Sequence, residues 1–98
     1  MPPPITLLTD FGIDDAYAAV MKGVILTRDS RATLVDITHA IEPQNVRHGA
    51  FVLATAYRYF PKNTIHVAVV DPGVGGERRG IILKVPGALF VAPDNGLL

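Results

Sequence analysis

Three acidic residues stand directly after short β-branched runs of this sequence: Asp10 after residues 5–9, Asp36 after residues 33–35, and Asp71 after residues 65–70. The first and the third lead into turns that contain glycine. In an open parallel α/β sheet, ligands bind in the crevice beyond the carboxyl ends of the strands. The sequence therefore predicts a polar functional edge at one end of a single sheet.

The region around Asp10 is rich in carboxylates, because Asp14 and Asp15 follow within six residues. A carboxylate at a strand end can accept hydrogen bonds from both ribose hydroxyls, and several together can bind a hard cation such as Mg²⁺. Asp14 and Asp15 have a structural alternative, since either could cap the helix that follows. Asp10 precedes the turn and is badly placed to cap, so it is the better candidate for ligand binding.

The segment after Asp71 is rich in glycine but does not have the G-x-G-x-x-G spacing of a dinucleotide fingerprint. Arg78 stands seven residues beyond Asp71, and a loop of this length can bring the guanidinium beside the carboxylate. An acid held ionised by a cation can orient a water molecule or a substrate hydroxyl. The alternative is a salt bridge that only fixes the loop.

The three histidines show no metal-ligand spacing with one another, and the chain contains no cysteine. His39 follows the second strand and could reach the crevice. His48 is predicted in a helix and His66 within the third strand, where a structural role is the simpler interpretation.

The hydrophobic pattern predicts an α/β fold of the order β-α-β-α-β followed by short strands. Helices are expected over residues 14–27 and about 46–59, the second starting near Pro43 and Asn45 and stopped by Pro61. Right-handed crossovers would give a parallel three-stranded sheet with flanking helices. Residues 80–85 and 89–92 are joined by residues 86–88 as a hairpin or short return, and a turn follows at residues 93–96.

Composition excludes several classes of function. Nine basic and nine acidic residues give a net charge of zero, and no basic stripe favours nucleic acid. No apolar run approaches the ~18 residues of a membrane span, and the N-terminus is unlike a signal peptide. We therefore expect a cytoplasmic protein. Its 49% hydrophobic content and its final two leucines indicate part of a larger molecule.

Several motifs together resemble the S-adenosyl-L-methionine hydrolases, the adenosine-forming hydroxide adenosyltransferase family related to fluorinase and chlorinase. The motifs occur in the family's order over nearly the whole chain, at residues 8–12, 15–23, 35–39, 69–75 and 92–98. The resemblance implies hydrolysis of S-adenosyl-L-methionine to adenosine and L-methionine by an activated water that attacks ribose C5′. It implies neither a cofactor nor a metal.

The resemblance also assigns roles to residues. Asp71 and Arg78 map to the group that orients the water, and Asp10 maps to the ribose-binding aspartate. The remaining expected substrate-binding residues are Asp14, Asp94 and Asn95. Halogenating relatives carry a tyrosine at the position of Asp71 and a threonine at that of Val74, so the sequence fits the hydrolases.

The family's catalytic histidine lies beyond the last motif, and its C-terminal β-domain follows that. The resemblance therefore implies that residues 1–98 are the N-terminal part of the N-terminal domain, without the β-domain. It also implies a homo-trimer with sites between subunits, of which this segment supplies about half, so that the segment alone is inactive. Two alternatives remain open, a metal-dependent enzyme acting on nucleotides or phosphates and a non-catalytic adenosine-binding module.

Overall fold

The computed structural model describes residues 3–12, 16–70, 80–95 and 97–98. Within these residues it contains five strands and two helices, in the order β1 (Ile5–Thr9), α1 (Tyr17–Arg28), β2 (Leu34–Thr38), α2 (Val46–Ala56), β3 (Thr64–Val69), β4 (Gly80–Val85) and β5 (Ala88–Pro93). A short 3₁₀ helix, Tyr57–Tyr59, extends α2. The predicted α/β class is confirmed, and so is the end of the second helix before Pro61.

All five strands form one sheet in the order β2-β1-β3-β5-β4. The predicted parallel core is confirmed, because β1 pairs in parallel with both β2 and β3. The predicted hairpin is also confirmed as the antiparallel pair β4 and β5. Its second strand pairs in parallel with β3, so four parallel strands end at the same edge.

The two helices cover opposite faces of the sheet, as right-handed crossovers to opposite sides of β1 require. Gly49 of α2 lies against Leu8 and Val70, which places α2 over the face on which these side chains lie. Lys22 of α1 bonds to Asp36, whose register partner is the neighbouring Leu7. Since successive side chains of a strand point to opposite faces, α1 lies over the other face.

The main core lies beneath α2. Its buried residues come from the sheet, from α2 and from the segments beside them: Leu8, Ile41, Leu53, Ala68, Val70, Ala88, Phe90, Ala92 and Leu97. The other face is covered less completely, because α1 has no buried residue. The valine-rich β3 was expected to be buried on both faces, but its residues alternate between buried and half-buried. The run of apolar residues in β3 did not reveal that α1 covers its face of the sheet only in part.

The helix starts show which capping predictions hold. Asn45 is the N-cap of α2 and its side chain accepts from the His48 amide at 2.9 Å, as its position before the helix predicted. The first helix begins at Tyr17 rather than at residue 14, and its N-cap is Ala16, which makes no side-chain capping bond. Asp14 and Asp15 lie outside the described residues.

Among the described residues, Asp36 is the strand-end acid whose position differs from the prediction. The strand was expected to end at Val35, but β2 continues through Ile37 to Thr38, so Asp36 lies inside it. An irregularity in the pairing of β1 with β2, between Leu7 and Leu8, coincides with this extension. The pattern of apolar and polar residues in such a short strand did not reveal where its pairing with β1 stops.

No helix in the described parts of the chain is both long enough and apolar enough to cross a membrane.

Candidate active site at the carboxyl edge of the sheet

The carboxyl ends of the four parallel strands bring the expected functional segments to one edge. β1 leads into Asp10, β2 into His39, β3 into Val70, and β5 into Asp94. Segments from distant parts of the sequence therefore lie along one edge, in the order His39, Asp10, Val70 and Asp94. This edge is the crevice position at which parallel sheets bind ligands.

Asp10 is half-buried at the end of β1 and is held in place by a second loop. Its Oδ2 accepts a hydrogen bond from the backbone amide of Gln44 at 2.7 Å. Gln44 has a left-handed backbone, with φ of 62°, a conformation uncommon for residues other than glycine. A carboxylate offers about four acceptor positions. Among the described residues, the amide of Gln44 donates to this carboxylate and orients it, and the remaining acceptor positions could accept from a diol.

Asn95 ties the end of β3 to the turn after β5. Its side-chain amide donates to the carbonyl of Val70 at 2.7 Å, and its Oδ1 accepts from the amide of Leu97 at 3.2 Å. Val70 immediately precedes Asp71 in the chain. Asn95 thus fixes the backbone from which the Asp71 segment departs. The neighbouring Asp94 is exposed at the same turn.

A chain of four side chains runs from Thr9 to the surface of α1. The hydroxyl of Thr9 and Nδ1 of His39 are 2.7 Å apart, and Nε2 of His39 is 2.8 Å from Oδ1 of Asp36. The other oxygen of Asp36 accepts from Lys22 at 2.7 Å. The sequence left open whether His39 reaches the crevice or has a structural role. The structure places its ring between β1 and β2, with the side chain 9% exposed.

Two titrating groups near the sheet are shifted by their surroundings. The hydrogen bond from Lys22 lowers the pKa of Asp36 most, partial burial opposes it, and the hydrogen bond with His39 lowers it further. Desolvation lowers the pKa of His66, whose residue is 1% exposed. His66 is surrounded by Tyr57, Phe60 and Phe90 and contacts the hydroxyl of Thr6 at 2.7 Å. It is a core residue.

The structure brings together only part of the predicted site. Asp10, Asp94 and Asn95 lie at the carboxyl edge, whereas Asp14, Asp71 and Arg78 lie outside the described residues and their positions stay predictions. Gln44 was missed, because a backbone amide that orients Asp10 from 34 residues away has no sequence signal. Among the described residues, no group of three metal-ligating side chains is close enough to hold an ion.

Two cavities formed by described residues are lined by none of the strand-end residues named above. A cavity of about 610 Å³ is lined by residues such as Asn63, Lys84 and Ala88, at the amino ends of β3 and β5. A second, of about 420 Å³, is an apolar groove between α2 and the hairpin, lined by residues such as Leu53 and Phe90. Neither contains a carboxylate or an imidazole, so the strand-end arrangement rather than cavity volume identifies the candidate site.

Comparison with known proteins identifies the family. Residues 5–98 match the model of the S-adenosyl-L-methionine (SAM) hydroxide adenosyltransferase N-terminal domain. The chain belongs to this family. The matched range includes every element described above and all six predicted site residues.

Relatives of this family domain include proteins with two different names. A protein of Methanocaldococcus jannaschii, named (R)-S-adenosyl-L-methionine hydrolase, is 49% identical over 95% of this chain. A protein of Thermus thermophilus with the same name is 43% identical over 96% of the chain. A protein of Nocardia brasiliensis named fluorinase is 29% identical over 98% of it.

Solved structures show the same fold for the SAM hydroxide adenosyltransferase N-terminal domain. An uncharacterized conserved protein from Thermotoga maritima superposes with a TM-score of 0.91 at 45% identity over 96% of this chain. The chain spans 37% of the length of the M. jannaschii relative and 36% of the T. thermophilus relative. What those longer proteins do is therefore a proposal for this one.

Proposed function

We propose that the protein hydrolyses S-adenosyl-L-methionine to adenosine and L-methionine. The observation that carries the proposal is that this chain is more similar to relatives named as hydrolases than to a relative named as a fluorinase. Proteins named (R)-S-adenosyl-L-methionine hydrolase are 43–49% identical to this chain, whereas the N. brasiliensis fluorinase is 29% identical. Val74, at the position where the halogenating relatives are expected to carry threonine, supports water rather than halide as the nucleophile.

The proposed reaction is a displacement at ribose C5′. The oxygen of a water molecule forms a bond to C5′ while the bond from C5′ to the sulfonium sulfur breaks. Methionine leaves with both electrons of that bond as a neutral thioether, and one proton is released from the attacking water. Because the leaving group is already positively charged, it needs no acid. The protein supplies positioning, desolvation and an oriented nucleophile.

The geometry of Asp10 supports its role as the ribose-binding residue. The end of β1 places Asp10 at the carboxyl edge of the sheet, and the hydrogen bond from the Gln44 amide at 2.7 Å restricts the rotation of its carboxylate. A carboxylate fixed in this way can accept from the 2′ and 3′ hydroxyls without losing further conformational entropy.

The remaining roles follow the family pattern. Asp71 is proposed to orient the water, with Arg78 keeping its carboxylate ionised. Asp14, Asp94 and Asn95 are proposed to contact the substrate. We further propose a homo-trimer in which neighbouring subunits complete each site.

The test is to incubate the full-length protein with S-adenosyl-L-methionine and to follow both products by chromatography. We expect equimolar adenosine and methionine, with no change on addition of a metal chelator. Added chloride or fluoride should give no 5′-halogenated nucleoside. Dependence on Mg²⁺ would instead support the metal-dependent alternative, and adenosine binding without turnover would support a binding module.

A further inference from the structure

The hydrogen bonds around Thr9 determine where the protons of His39 lie. The amide of Phe11 donates to the Thr9 hydroxyl oxygen at 3.1 Å, so this hydroxyl directs its single hydrogen to Nδ1 of His39. The imidazole then carries its proton on Nε2 and donates it to Asp36. The opposite tautomer would place two donors on the Thr9 oxygen, and the hydroxyl hydrogen of this fully buried residue would then have no acceptor among the described residues.

The hydrogen bonds connect a carboxylate (Asp36), an imidazole (His39) and a hydroxyl (Thr9) in the same order as in a nucleophilic catalytic triad. Thr9 cannot serve as the nucleophile, because the residue is 0% exposed and its oxygen already accepts from an amide. These hydrogen bonds therefore have a structural effect: they fix the backbone that flanks Thr9 and His39.

His39 secures the turn containing Asp10 at two points. Its ring holds the Thr9 hydroxyl that accepts from the Phe11 amide, and its own carbonyl accepts from the Gly12 amide at 2.7 Å. Gly12 has φ of 79°, where residues with a Cβ are disfavoured. Asp10 lies between these anchored residues, so its backbone is held from both sides.

We infer that His39 is a positioning residue that fixes the carboxylate of Asp10 for the ribose hydroxyls, through Thr9 and the turn at residues 10–12. Asp36 holds the ring in the required tautomer, and Lys22 holds Asp36. The part of this inference that concerns ribose rests on the proposed function. The part that concerns the orientation of Asp10 does not, and the two are tested separately.

The first measurement needs no ligand. In the full-length protein, His39→Phe keeps a ring of similar size but removes both hydrogen bonds. We expect amide hydrogen exchange at Phe11, Gly12 and Gln44 to accelerate roughly tenfold, the factor that corresponds to one hydrogen bond of ordinary strength. Thr9→Val, which replaces the hydroxyl by a methyl group, should accelerate the same amides and covers the case in which His39→Phe does not fold.

The matched control is His66→Phe. It removes a threonine–histidine contact of the same 2.7 Å length on the same sheet, but this contact lies in the core and away from the turn. We expect His66→Phe to leave exchange at the three amides unchanged, even where it lowers stability. Unchanged exchange in both His39→Phe and Thr9→Val, or equal acceleration in the control, would overturn the inference.

The second measurement is calorimetric binding of adenosine. His39→Phe should weaken binding about tenfold in the wild-type background and not at all in an Asp10→Ala background, because its effect passes through Asp10. A general structural effect would weaken binding equally in both backgrounds and would overturn the inference. Failure of the wild-type protein to bind adenosine would overturn the proposed function instead, while the exchange measurement would still decide the positioning role.

Discussion

At the scale of single residues, Asp10 gives the most direct test of substrate recognition. Replacing it by alanine removes an acceptor that is proposed to bind two ribose hydroxyls. Hydrogen bonds to a charged group contribute about 1.5–3 kcal/mol, so Asp10→Ala should weaken adenosine binding by that amount in calorimetry. Asp29→Ala, which removes an exposed carboxylate beyond α1, is the matched control and should bind normally. If Asp10→Ala bound adenosine with wild-type affinity, Asp10 would not be the ribose-binding residue.

Asp71 and Arg78 are predicted to act on the chemical step. Asp71→Asn keeps the shape of the side chain but loses the charge that polarises water, so kcat should fall ~10²–10⁴-fold with little change in substrate affinity. Arg78→Ala should also lower kcat. The double variant should be no worse than the worse single one, since the pair acts as a unit. Steady-state kinetics checks this, and an undiminished kcat in Asp71→Asn would contradict it.

The buried imidazole of His66 predicts a dependence of stability on pH. Because desolvation lowers its pKa from the ordinary 6.5, the unfolded chain takes up this proton at a higher pH than the folded chain does. The free energy of unfolding should therefore be fully retained above pH 6.5 and should decrease as the pH falls below it. Urea unfolding between pH 5 and 8, compared with His66→Phe, measures this contribution. An equal slope in both proteins would contradict it.

At the scale of elements, the approach of α2 to the sheet depends on Gly49. A Cβ at this position would lie 3.1 Å from Cγ2 of Val70 and 3.4 Å from Cδ1 of Leu97. Val70 is fully buried, and its carbonyl is held by Asn95, so it has little room to move. The close packing thus connects the helix to the segment that leads into Asp71.

Two glycine-to-alanine substitutions should therefore change the free energy of unfolding in opposite directions. Alanine favours a helix by up to about 1 kcal/mol over glycine. At position 49 the added Cβ would press against Val70, and such overpacking costs about 1–3 kcal/mol. Gly49→Ala should therefore destabilise the protein. A Cβ added at Gly23 of α1 would meet no atom within 4 Å, and Gly23→Ala should stabilise by about 0.5–1 kcal/mol. Thermal unfolding compares the two, and a higher Tm for Gly49→Ala would show that the helix can move.

At the scale of the whole molecule, the segment leaves much apolar surface uncovered. Among the described residues, several large hydrophobic side chains are more than half exposed, on α1, on the outer side of α2 and on the hairpin: Tyr17, Val20, Val24, Phe51, Tyr59 and Ile82. Exposed apolar area on this scale is typical of surfaces that contact other parts of an assembly. The expectation that the segment functions within a larger molecule stays a prediction.

Residues 1–98 expressed alone should therefore not turn over S-adenosyl-L-methionine repeatedly. By the family pattern, the catalytic histidine and the C-terminal β-domain, which is expected to close the site on the adenine side, are not among residues 1–98. Purified segment would be incubated with substrate and adenosine followed by chromatography, with the full-length protein as control. Sustained turnover by the segment would show that the site is complete within these residues.

The sequence by itself determined the fold class, the hairpin, the capping role of Asn45 and the placement of Asp10 at a strand end. These depend on periodicity and local turn chemistry, which act over a few residues. It also carried the motifs that indicated the family, and the comparison confirmed that family. The extent of β2 beyond Asp36 was not predictable, because the pairing of β1 with β2 sets the end of that strand.

Only the tertiary structure decided which distant groups meet. The amide of Gln44 reaches Asp10, Asn95 holds the carbonyl of Val70, and the ring of His39 lies between Thr9 and Asp36. The first two contacts join segments that follow different strands, and the contact of His39 with Thr9 joins the segment after β2 to the end of β1. Strand order and register bring these groups together. Side-chain pattern along one segment contains no information about these partners, because the hydrogen bonds form only when the sheet aligns its carboxyl ends.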